Sequence, residues 1–70
     1  MTGREWLDQF AARLGVEAPS DAEIDELLKL AGVAAHASER IAAPVACWLV
    51  ARAGLDAGEA LRRAQEIAVS

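Results

Sequence analysis

Seventy residues make one domain, with too little material for a second core, and a single cysteine rules out both a disulfide frame and a zinc-finger spacing. The net charge is −4, and residues 1–26 carry seven acids against Arg4 and Arg13; without a basic stripe the chain has no means of neutralising nucleic-acid phosphates. The longest apolar run is too short to span a bilayer and ends at Arg52, and a lone thiol with no leader-like segment points to the reducing cytoplasm.

Thr2-Gly-Arg-Glu5 has the form of a capping box, in which the Thr side chain takes the Glu5 N–H and Glu5 reaches back to Thr2. The helix it opens, near residues 3–14, shows Trp6, Leu7, Phe10, Ala11 and Leu14 on one face and Arg4, Asp8, Gln9 and Arg13 on the other. Gly15 stops it. Residues 16–19 are a linker, held extended by Pro19.

Ser20-Asp-Ala-Glu23 is a second capping box, opening a helix near residues 21–36. Asp21, Glu23, Asp25 and Glu26 fill its first two turns, where the positive end of the helix dipole favours acids. Ile24, Leu27, Leu28 and Ala31 supply the expected buried face, leaving Leu30 and Val33 off the main stripe. Gly32 weakens its turn by about 1 kcal/mol relative to alanine, and a close approach by the next helix would account for it.

From Ile41 to Ala51 no side chain is charged or strongly polar. A helix apolar on every side belongs inside a bundle, so this third helix, near 44–53 with Pro44 in its first turn and Gly54 as its stop, is expected at the hub. Asp56-Ala-Gly-Glu59 is a third capping box. The last helix, near 57–68, turns Ala60, Leu61, Ala64, Ile67 and Ala68 inward and Arg62, Arg63, Gln65 and Glu66 outward. No stretch alternates as a strand does. The expected fold is all-α, a compact four-helix bundle-like domain over residues 1–70.

Candidate chemistry is sparse. His36 and Cys47 are the only residues resembling a base and a nucleophile. A reactive thiol needs an electropositive, partly exposed setting, whereas Cys47 lies between Ala46 and Trp48 in the most apolar stretch and reads as a small core residue. His36 falls at the C-terminal end of the second helix, where an imidazolium meets the negative end of the dipole. Asp21, Asp25 and Glu26 match neither a calcium loop nor a helical Glu-x-x-His pair. Trp6, Phe10 and Trp48, at helical spacing, read as core. No glycine-rich phosphate cradle is present.

The segment LLKLAGVAAHASERIAAPVACWLVARAG resembles a small actinobacterial domain of unknown function through Leu27-Leu28, Ala34-Ala35-His36 and Ala43-Pro44 with its apolar helix. Trp6-Leu7, Leu14-Gly15 and the closing alanine-rich helix extend the likeness over nearly the whole chain. The resemblance implies a domain found alone or as a C-terminal extension of molybdenum cofactor guanylyltransferases, which make molybdopterin-guanine dinucleotide. It carries over no catalytic residues, and the roles of His36 and Pro44 in its pattern are unassigned. The glycine- and arginine-rich nucleotide loop of those enzymes has no counterpart here.

The resulting expectation is an interaction or accessory domain without catalysis, cofactor or metal. Seventeen alanines supply much of the apolar composition and bury little area each, so a protein partner or a second copy helps the core. Leu30, Val33 and Trp48 are the expected interface residues, with a guanylyltransferase as the partner the resemblance implies. The competing expectation is a small-molecule pocket or minor enzyme built around His36, Cys47 and Trp48.

Overall fold

The computed structural model describes residues 1–69, leaving aside the side chain of Val69. The fold is all-α and bundle-like, with four helices: α1 (Gly3–Leu14), α2 (Asp21–Ala37), α3 (Ala42–Ala53) and α4 (Ala57–Val69). No described residue is in a strand.

The helix starts follow the side-chain chemistry. Thr2 Oγ1 accepts from the Glu5 N–H at 3.1 Å while the Thr2 N–H donates to Glu5 Oε1 at 2.9 Å. Ser20 and Glu23 repeat the exchange at 3.1 and 2.8 Å. The third box is half formed. Asp56 Oδ1 accepts from the Glu59 N–H at 3.0 Å, but the Glu59 carboxylate turns to Arg62, also at 3.0 Å. At the other ends, Gly15 and Gly54 adopt φ of 72° and 71°, the left-handed conformation that stops α1 and α3. Ser38 closes α2 by donating its hydroxyl to the Ala34 carbonyl at 2.7 Å.

α3 begins two residues before Pro44. Ala42 and Ala43 donate to the carbonyls of Glu39 and Arg40, forming a lead-in turn. Pro44 is then the third helical residue, still among the N-terminal positions that have no intrahelical acceptor, so its missing N–H costs nothing.

The hub is α2 and not α3. α2 packs against both α3 and α4, and Leu30 at its middle is the most buried residue described, 2 % exposed. α3 touches α2 along one side and buries no residue fully. Its apolarity exceeds what one neighbour can cover, so Val45, Trp48 and Leu49 remain exposed.

The buried stripe of α2 is also rotated from the expected one. Leu27, Leu30, Ala31 and Ala34 face inward and Leu28 is exposed. With apolar residues on three sides of this helix, two stripes fit the spacing, and packing against two helices selects the one centred on Leu30. In α4, Ala57 and Ala60 are buried, while Ile67 and Ala68, expected inside, are exposed.

α1 stands apart from this three-helix unit. Arg4 lies 3.5 Å from Asp21 at the start of α2, so the linker after Gly15 carries the chain back to the N-terminal end of α1. The Arg4 guanidinium also pairs with Asp8 at 3.3 Å. Ala11 is the only buried residue of α1.

Candidate functional site

Three surface regions gather the residues singled out above. The first is α1, where Trp6 and Phe10, one turn apart, bring their rings to 4.9 Å between centroids at 30°. Trp6 is 52 % and Phe10 46 % exposed. With Leu14 they form an i, i+4, i+8 apolar stripe, flanked by Gln9 and Arg13.

The second region is an apolar groove between α3 and α4. Leu30 of α2 forms its floor, Leu49 and Ala53 its α3 wall, and Ala60 and Ala64 its α4 wall, with the Arg63 stem at the rim. It encloses about 240 Å³. Its position follows from the hub geometry, since two helices laid side by side on a third leave a trough between them. Trp48 stands outside this groove on the exposed side of α3, with the Arg52 guanidinium 5.6 Å from its ring centroid. That distance suits a cation–π contact at an exposed site.

The third is a shallow hollow of about 360 Å³ lined by Gly32, Val33, His36, Ala37 and Ala68. His36 is exposed at the end of α2. A β-carbon added at Gly32 would meet nothing within 4 Å, so this glycine admits no neighbouring helix. The close approach is at Gly58 instead, where an added β-carbon would stand 2.5 Å from Glu26 Oε2.

The expected residues are therefore scattered. Leu30, placed at an interface because it left the main stripe, is core: the stripe itself is centred on it. Val33 is half-buried and Trp48 is exposed at 59 %. Cys47, read as core, is half-buried, on a helix that packs chiefly against α2. His36 lines the hollow at the end of α2, and neither Cys47 nor Trp48 lines that hollow or the α3–α4 groove. The sequence reading missed the α3–α4 groove. Its alanines at fixed helical spacing (Ala46 and Ala53 on α3, Ala60 and Ala64 on α4) were the available signal.

The electrostatics are those of helix starts. The Glu5 carboxyl is held below the ordinary carboxylate range, first by the Thr2 backbone N–H and then by the Thr2 hydroxyl. Glu23 is lowered in the same way by the backbone and then the hydroxyl of Ser20. Among the described residues, no group of three or more His, Cys, Asp and Glu side chains could hold a metal ion, and no helix is long and apolar enough to cross a membrane.

Residues 1–70 match the family model described as a domain of unknown function, DUF6457. No curated protein and no solved structure matches the chain.

Proposed function

The chain belongs to the DUF6457 family, and from that premise we propose that it is a non-catalytic interaction domain of the cytoplasm, working by contact with protein. The observation that carries this reading is the placement of its large apolar side chains. Trp6, Phe10 and Leu14 on α1, and Val45, Trp48 and Leu49 on α3, are all between 46 and 59 % exposed. Scattered exposed apolar residues are ordinary, but rows of them along two helices are the mark of a docking surface. The resemblance of residues 27–54 to a domain that extends molybdenum cofactor guanylyltransferases supplies an accessory role in molybdopterin-guanine dinucleotide synthesis and names the enzyme to test.

The experiment is titration of the purified chain against a purified molybdenum cofactor guanylyltransferase by calorimetry, beside a thermal-shift screen of nucleotides, pterins and other metabolites. Binding of the enzyme, weakened by Trp48→Ala, is the expected result. No binding of the enzyme, together with a metabolite shift abolished by His36→Ala, would replace this reading with a ligand hollow at the end of α2.

A further inference from the structure

The α1 stripe and the α3–α4 groove are both uncovered, and each has the form of the other's missing half. The stripe runs over nine residues of α1, Trp6 to Leu14, and the groove along eight residues of α3, Ala46 to Ala53, so both are about 12 Å long. Alanine walls let a third helix settle close to α3 and α4, at the 8–10 Å axial distance usual for packed helices. The two apolar surfaces nevertheless lie on separate parts of the chain, for α1 is not packed on the α2–α3–α4 unit to the extent those helices pack on one another.

The total surface gives the scale of what is left uncovered. The chain of 7.4 kDa exposes 5413 Å², whereas a folded monomer of that mass exposes about 4,200 Å². The excess of about 1,200 Å² exceeds the ~800 Å² that each partner buries in a standard interface. The radius of gyration agrees in sense, 12.5 Å against about 11 Å for a compact domain of this length.

Resting on the interaction reading above, we infer that two copies of this chain associate by exchanging α1, the Trp6–Phe10–Leu14 stripe of each lying in the α3–α4 groove of the other. A foreign partner that covered one surface would leave the other bare. A second copy brings the missing half of both. The exchange is reciprocal, so the contact obeys two-fold symmetry and closes at two copies without growing into a filament. It also completes each bundle: α2 carries α3 and α4, and the partner's α1 takes the vacant fourth position above Leu30.

The test is sedimentation equilibrium of the whole chain over a wide concentration range, with circular dichroism on every sample. Phe10→Glu spoils the stripe and leaves the groove. Leu49→Glu spoils the groove and leaves the stripe. Both side chains are about half exposed in the single chain, so helicity is expected to survive. Phe10→Ala and Leu49→Ala form a milder second pair should either charge unfold the chain.

The wild-type chain is expected at twice its formula mass. Each variant alone is expected to dissociate with a constant raised at least about tenfold. An equimolar mixture of the two variants is expected to regain a pair, because one intact stripe then meets one intact groove. A wild-type chain that stays single at millimolar concentration would overturn the inference, and so would a dimer indifferent to both variants or a mixture no tighter than its components. A single chain that still binds the guanylyltransferase would sink the exchange and leave the interaction reading standing.

Discussion

The carboxylate of Glu26 occupies the place a β-carbon on Gly58 would need, its Oε2 lying 2.5 Å from that position. Gly58 is the second residue of α4, so the carboxylate sits at the positive end of that helix's dipole. α2 thus meets α4 through an acid fitted onto a bare glycine.

Gly58→Ala is expected to leave stability within about 0.5 kcal/mol of wild type, because the propensity gained, at most about 1 kcal/mol, is offset when Glu26 is pushed off the helix end. In a Glu26→Ala background the same change should be more favourable than in wild type, by up to about 1 kcal/mol, although the capping Asp56 Oδ1, 3.3 Å from the added carbon, must still give slightly. Urea denaturation of the four chains measures the coupling. Strict additivity would show that Glu26 and Gly58 do not share this space in solution.

Leu30→Ala is expected to cost about 2–5 kcal/mol, the range for a buried leucine that leaves a cavity. Leu28→Ala, at an exposed position on the same helix, should stay within about 0.5 kcal/mol of wild type. Equal losses by thermal or chemical denaturation would return the buried stripe to Leu28.

Gly32→Ala is expected to stabilise the chain by about 0.5–1 kcal/mol, since the position is helical and an added methyl group meets open space. A loss of stability on denaturation would mean that a neighbour does press on this turn.

Ser20→Ala should lower stability by about 0.5–2 kcal/mol through loss of the cap on α2. The acid side of the pH profile follows from Glu5 and Glu23, whose folded carboxyls titrate below their ordinary range. A carboxyl lowered by folding contributes stability that is complete above its unfolded pKa, about 4.3 for Glu, and disappears as pH falls through the folded value. Stability should therefore fall on acidification below that region. Glu23→Gln keeps an acceptor for the Ser20 N–H but cannot titrate, so its melting temperature should depend less on pH there.

The helix limits were legible because they are set by neighbours in sequence. Thr2 with Glu5, Ser20 with Glu23, and the left-handed Gly15 and Gly54 act within a single turn. What failed was which face each helix buries, because that is decided by elements distant in the chain. Leu28 and Leu30 are equally apolar, and only the joint packing of α3 and α4 on α2 distinguishes them. The apolar run from Ile41 suggested a hub, although hydrophobicity records a demand for cover and not where the cover comes from. The groove walled by Ala53 and Ala60 went unseen for the same reason: alanine favours helix everywhere, and its meaning as a wall emerges only when two helices lie side by side.

The isolation of α1 has a consequence for motion. A 12-residue helix with few tertiary supports is close to its coil state in water, even with a capping box at one end and a left-handed glycine at the other. Its amide hydrogens should exchange with solvent far sooner than those around Leu30, as a separate unit of opening. If α1 is exchanged between two copies, pairing should slow that opening in the first fifth of the chain and dilution should restore it.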